Sequence, residues 1–230
     1  MDLFLAGSLG FAPGLLWLWF LRRKDDLEPE PKRLLLAVFA LGCGSAGLAL
    51  WLRPWLEPWI PTTPQWLGYA VDAFAVTAGV EELLKLAAFF AIAFWHREID
   101  EPIDGIIYGS AAGLGFASVE NALYLSLTDD VSVVAARAFT ATLAHAACSG
   151  MLGFAVAMTR LHPERRQRHL VLGSLLLAVA LHGSYDFFLL GDAPHAWVAL
   201  LGALPLMAVL LALQLRWARA RSPEYHPETP

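Results

Sequence analysis

GVEELLKLAAFFAIAF, residues 79–94, decides how this chain is read. Two adjacent carboxylates, Glu81 and Glu82, and one ammonium, Lys85, stand within an apolar run that extends over about 67–95. Such a run is long enough to cross a bilayer, which takes roughly 20 residues. A charge at bilayer depth costs on the order of 2.5–3.5 kcal/mol even on the gentlest insertion scale, so it marks function by default. Three other apolar runs carry ionisable groups in the same way: Glu120 in 104–127, His145 in 131–159, and His182 with Asp186 in 169–190. Four charged runs of this kind point to one shared polar site inside a membrane bundle.

Composition agrees. The 230 residues are 57% hydrophobic and only 16% charged, with a mean hydropathy of +0.53. A soluble domain carries about 25% charge. No basic patch with interleaved aromatics is present, so nucleic-acid binding is not expected. Cys43 and Cys148 lie in apolar runs without metal-ligand spacing and read as small packing residues. The first apolar run, 3–21, is followed by Arg22-Arg23-Lys24, the reverse of a cleavable signal peptide.

The expectation is therefore an all-α, polytopic helix bundle of seven spans in the lipid bilayer. They fall at about 3–21, 34–52, 67–95, 104–127, 131–159, 169–190 and 195–215. The third and fifth are long and call for tilt or protrusion. Gly191-Asp192-Ala193-Pro194 makes the turn between the sixth and seventh. Basic residues set the orientation. Loop 22–33, the turn at Arg97, loop 160–168 and the C-terminal flank hold thirteen Lys and Arg, whereas Arg53 alone lies on the other side. By the positive-inside rule the N-terminus is outside and the C-terminus cytoplasmic, in the cell (inner) membrane. Residues 1–221 read as one membrane domain and 222–230 as a disordered tail. Loop 53–66 holds Trp55, Trp59 and Trp66, which with Trp51 form an interfacial belt on an anchored outer segment. Arg137 lies near the outer surface and is read as a snorkelling, structural residue.

With these directions, Glu81, Glu82, Glu120, His145, His182 and Asp186 all fall between the midplane and the outer surface, at 1.5 Å of helix rise per residue. Glu81–Lys85 and His182–Asp186 are i,i+4 pairs and Glu82–Lys85 is i,i+3, so each shares a helix face. Glu120 is followed by Asn121, which adds an amide at the same level. Ala144, Ala146, Ala147, Ser149 and Gly150 around His145 allow close helix approach. Histidine and carboxylate ligands suit zinc, three of them leaving an open position for water. A neighbouring glutamate would take the proton from that water. A metal-free version is open as well: a Glu–His pair activates water and a second His steadies the oxyanion. A proton- or cation-coupled transporter is the rival class, since it too uses midplane carboxylates and histidines.

In chain order the site residues read Glu81-Glu82-Leu83-Leu84-Lys85 (EExxK), Phe116 to Asn121 (FxxxEN), His145 to Gly150 (HxxxxG) and His182 to Asp186 (HxxxD). Over about 65–190 this resembles the PrsW family of intramembrane proteases, related to the CAAX prenyl protease and bacteriocin-processing group. Glu120 stands where the CAAX group has His, and Lys85 where it has Arg. The resemblance implies cleavage of a membrane-tethered protein substrate, such as an anti-sigma factor, on the extracytoplasmic side. It implies that Glu81 and Glu82 supply the general base, and that Glu120, His182 and Asp186 fill water-activating, ligand or oxyanion positions. His145 matches the family's additional histidine. Taken together, the expected arrangement has Glu120, His145 and His182 holding zinc with Asp186 beside them. Glu82 or Glu81 deprotonates the water, and Lys85 tunes that pair.

Overall fold

Helix α5 (Pro102–Thr128) is buried from Pro102 through Ser118 and shows no amphipathic stripe. A helix that is apolar all round belongs inside a protein or a membrane. In this computed structural model, which describes residues 3–25, 28–92, 94, 96–162, 168–190 and 195–225, α5 is the central post. Its main partners are α1 (Leu3–Arg22), α2 (Lys32–Leu56) and α7 (Ala141–Leu161). Small residues make the approach close. A Cβ on Gly109 would fall on the Ser149 backbone of α7, and one on Gly113 would fall on the His145 backbone. Without a strong hydrophobic drive between helices in lipid, such close packing is what holds them.

The third span is a continuous helical rod over 65–92. It consists of α3 (Gln65–Ala70), a π-helical segment (Val71–Gly79) and α4 (Val80–Ile92). π-helical turns are rare and cluster at functional sites. This one immediately precedes Glu81 and Glu82, and hydropathy gave no sign of it. It packs on α8 (Arg168–Leu190), where Phe74 lies against Gly183 and its ring centroid is 6.2 Å from that of Phe187.

The fifth run is not the single long helix expected from 131–159. It divides into α6 (Val131–Phe139) and α7, with Thr140 at φ −117°, ψ −91° between them. Asp129 turns the corner after α5 at φ 54°, and the Asp130 carboxylate caps α6 by accepting from the Ser132 amide at 2.8 Å. Position 129 suits this because Asp tolerates the left-handed region better than most residues.

The outer segment is also shorter than loop 53–66. Helix α2 continues to Leu56, a 3₁₀ turn follows at Glu57–Trp59, and α3 begins at Gln65. Arg53 thus sits on a helix. Trp51, Trp55, Trp59 and Trp66 are 63–79% exposed, too open for core residues and placed as an interfacial belt would be. The last run comprises α9 (Ala196–Val198), a π segment (Ala199–Ala203) and α10 (Leu204–Tyr225). Residues 222–225 of the expected disordered tail therefore continue α10; 226–230, the turn 191–194 and positions 163–167 lie outside the described residues.

Among the described residues, five stretches are long and apolar enough to cross a membrane: Phe4–Arg22, Lys32–Trp59, Val131–Leu161, His169–Leu189 and Ala196–Ser222. At the basic end, loop 22–33 is anchored on the post. The Tyr108 hydroxyl donates to the buried Glu30 carboxylate, and Arg22 Nε donates to the Glu30 carbonyl at 2.7 Å. Burial pushes the Glu30 carboxyl up to about 7.

Candidate active site

Helix α4 delivers Glu81, Glu82 and Lys85 to the interior, all buried. Lys85 Nζ donates to Glu82 Oε1 at 2.9 Å and to Glu81 Oε2 at 3.2 Å, as the i,i+3 and i,i+4 spacings require. The same ammonium lies 2.7 Å from His145 Nδ1 on α7 and 4.2 Å from the Phe116 ring centroid on α5. Phe116, the aromatic of the second motif, is thus the apolar floor under the lysine. From α8, His182 places Nδ1 2.9 Å from Glu82 Oε1 and Nε2 3.3 Å from Asp186 Oδ2. From α5, Glu120 Oε2 lies 2.8 Å from His145 Nε2. The two imidazole rings meet edge to face, 4.9 Å between centroids.

These contacts fix the tautomers. An ammonium has only donors, so His145 Nδ1 accepts from Lys85 and its Nε2–H donates to Glu120. His182 is the reverse case. Its Nδ1–H donates to the Glu82 carboxylate, which leaves the Nε2 lone pair facing Asp186 at 3.3 Å and Glu81 Oε2 at 3.8 Å. A lone pair held against two carboxylates is repulsive unless a proton or a cation stands between them. The buried Glu82 Oε2 atom has no hydrogen-bond partner among the described residues, which leaves an acceptor there for a water, a proton or an ion.

The donor set fits a metal of the zinc class. One ligand atom each of Glu81, His145 and His182 lies within 4.8 Å of the others. The expected set has Glu120 where this group has Glu81. Glu120 instead receives the Arg137 guanidinium at 2.9 Å, whose Nε donates to Asn121 Oδ1 at 2.7 Å. Asn121 in turn donates to Thr142 Oγ1 at 2.9 Å.

Arg137 was read from sequence as a snorkelling residue; the structure turns it inward to Glu120. The break at Thr140 makes this possible by letting α6 lie at its own angle to α7. A signal was present, since Glu120 has no basic partner on its own helix and the next run offers Arg137.

Two cavities adjoin the cluster. One of about 60 Å³ is lined by Glu120, Arg137, His145, His182, Tyr185 and Asp186, among others. It has room for about two waters at ~30 Å³ each. The other, of about 330 Å³, lies between α2, the π segment and α5. Thr77, Glu120 and Tyr124 border both.

The arrangement can therefore hold a divalent ion and water within a largely buried polar centre beside an apolar cleft. Residues 30–213 match the family model described as PrsW family intramembrane metalloprotease. Protease PrsW of Geobacillus kaustophilus is 34% identical over 215 residues, covering 93% of this chain and 88% of that protein. Protease PrsW of Bacillus subtilis is 32% identical over 216 residues, covering 94% and 95%. Protease PrsW of Clostridioides difficile is 26% identical over 208 residues, covering 87% and 84%. No solved structure matches. These likenesses do not favour the transporter reading. A buried carboxylate–histidine centre in a helical membrane protein, matched along most of its length by proteases, places this chain in the PrsW family of intramembrane metalloproteases.

Proposed function

We propose that this protease cuts a membrane-tethered protein, of the kind an anti-sigma factor represents, with water activated between the bilayer midplane and the extracytoplasmic surface. One observation supports it most. Seven polar side chains from four distant runs form a continuous chain of contacts: Glu120–His145 2.8 Å, His145–Lys85 2.7 Å, Lys85–Glu82 2.9 Å, Lys85–Glu81 3.2 Å, Glu82–His182 2.9 Å and His182–Asp186 3.3 Å. In this reading the five apolar stretches, the rod 65–92 and α5 make seven spans of the cell membrane, N-terminus outside. Glu120 and His182 lie eight residues from the ends of α5 and α8 at Thr128 and Leu190.

The roles follow from surroundings. Glu81, His145 and His182 would hold zinc, with Asp186 beside His182 as a further oxygen ligand. His182 presents its Nε2 lone pair already; His145 does so once Lys85 withdraws from Nδ1. Bound there, zinc would polarise the attacking water and the scissile carbonyl. Glu82, with 0% of its side chain exposed, accepts from His182 Nδ1. That is the carboxylate–histidine pairing by which metal ligands are oriented. Lys85 neutralises the carboxylate pair and fixes its geometry. Glu120, 24% exposed at the side chain and bordering both cavities, is placed to take the water's proton. Arg137 holds Glu120. This exchanges the roles that the sequence suggested for Glu81 and Glu120.

The test is metal analysis beside cleavage of a tethered reporter. The intact chain should hold about one zinc, and a chelator should stop cleavage. Glu81→Ala and His182→Ala should lose the metal, and Glu120→Gln should keep it while losing cleavage. Glu82→Gln should bind zinc 10–100-fold more weakly. Chelator-resistant cleavage by a metal-free chain would remove zinc from the mechanism. Loss of metal from Glu120→Gln but not from Glu81→Ala would restore the sequence-based ligand set.

A further inference from the structure

The 330 Å³ cleft is more than a gap between helices. Its α2 wall is Ala46, Ala49, Leu50, Arg53 and Leu56, and the two alanines, one turn apart, leave space there that leucines would fill. Leu48, also on α2, is not part of that wall and is 43% exposed. An apolar cavity of about 150 Å³ accommodates a benzene ring, so this volume takes about two ring-sized groups.

The cleft's inner boundary is not apolar. Glu81 and Glu120 stand there, the two carboxylates nearest the reaction. Carboxylate oxygens are acceptors only and need donors. A peptide segment brings amide N–H groups as well as apolar side chains; a lipid acyl chain brings no donor. At the outer rim Arg53, 39% exposed at its side chain, pairs with Asp72 of the π segment through NH2 at 3.0 Å. This pair ties α2 to the π segment and holds the cleft at a fixed width. Thr77, which also receives an Arg53 N–H at 3.2 Å, borders both the cleft and the small polar cavity.

We propose that the cleft between α2, the π segment and α5 is the subsite for apolar side chains of the substrate segment flanking the scissile bond, with Ala46 and Ala49 setting the size it accepts. The proposal rests on the assignment of the carboxylate–histidine cluster as the catalytic centre. A substrate segment in the cleft lays its backbone along Glu81 and Glu120, which brings a peptide carbonyl to the small cavity that has room for water.

The probe is a library of single-span reporter proteins with a randomised extracytoplasmic juxtamembrane segment, reconstituted with the full chain in phosphatidylethanolamine–phosphatidylglycerol vesicles. Cut products are read by mass spectrometry. The intact protein should favour members with Leu, Phe or Trp at one flanking position. Ala49→Phe and Ala46→Leu should lower the ratio of large to small side chains there at least tenfold, and Leu48→Phe on the lipid face should leave it alone. Binding is read separately by photo-crosslinking in the His182→Ala chain. A benzophenone amino acid replacing Ala49 should capture the reporter, and one replacing Leu48 should not.

Ratios within twofold of the intact protein in both alanine variants would overturn the proposal, as would equal capture from positions 48 and 49. A co-purifying phospholipid lost from Ala49→Phe with no change in ratio would overturn it in favour of a lipid site. Failure of the catalytic assignment looks different: His182→Ala would still cut, whatever the ratio.

Discussion

Arg137 shows how one side chain can order a site without touching its centre. Its guanidinium pins Glu120 at 2.9 Å and Asn121 at 2.7 Å, and Asn121 is held by Thr142. Two of its five N–H groups are accounted for by these bonds. Its carbon lies 4.1 Å from the Tyr124 ring centroid, so the guanidinium is stacked as well as paired. Replacement by Gln leaves Glu120 held by His145 alone. A misplacement of about 1 Å costs on the order of 100-fold in rate. Arg137→Gln should therefore lower kcat about 100-fold with little change in KM or bound metal, and Arg137→Lys should recover only part. Steady-state kinetics on a tethered reporter checks this; an unchanged kcat removes Arg137 from the site. At this scale the sequence was informative about which residues matter, because charge is costly in an apolar run. It was silent on which oxygen faces which nitrogen. Glu81 lies against His182 while Glu120 turns to Arg137, and that depends on how helices rotate against one another.

The helices are placed by small residues. On α5, Gly109 and Gly113 press against Ser149 and His145 of α7, so the seam that joins these helices also sets the position of one imidazole. Gly109→Leu would force α7 outward. Overpacking of this kind costs about 1–3 kcal/mol, and His145 would move with its helix. Thermal unfolding in detergent should shift down and cleavage should fall. Gly44→Leu on α2, where an added Cβ meets nothing within 4 Å, should leave both unchanged. Equal effects at the two positions would deny the seam its role. Span positions were legible from hydropathy because helix length follows bilayer thickness. The π segment at Val71–Gly79 and the break at Thr140 were not. Neither contains a proline or a helix-breaking pattern; both depend on packing with α8 and α5. The extension of α2 to Leu56 was hidden for a related reason, since Pro54 suggested a stop that the helix tolerates.

Across the whole molecule the two ends differ in chemistry. One bears Arg22, Lys32 and Arg160 on helix ends; the other bears the exposed Trp51, Trp55, Trp59 and Trp66 and the outer turn. Thr62→Cys, in that turn, should react with a membrane-impermeant maleimide in intact cells. Glu28→Cys, in loop 22–33, should react only after permeabilisation. The native cysteines serve as background, Cys148 being buried and Cys43 partly so. The opposite labelling pattern would invert the topology and place the chemistry on the cytoplasmic side. The cluster also has a consequence for how the bundle comes together. Among the described residues, Glu81, Glu82, Glu120 and Asp186 make ion pairs with two cations, Lys85 and Arg137, so with neutral imidazoles two negative charges stay without an ion-pair partner of their own. In a low-dielectric interior that excess costs several kcal/mol per charge. The helices that close the site therefore assemble together with two positive charges, one divalent ion or two protons, and the maturation of the protein in the bilayer is tied to the supply of that charge.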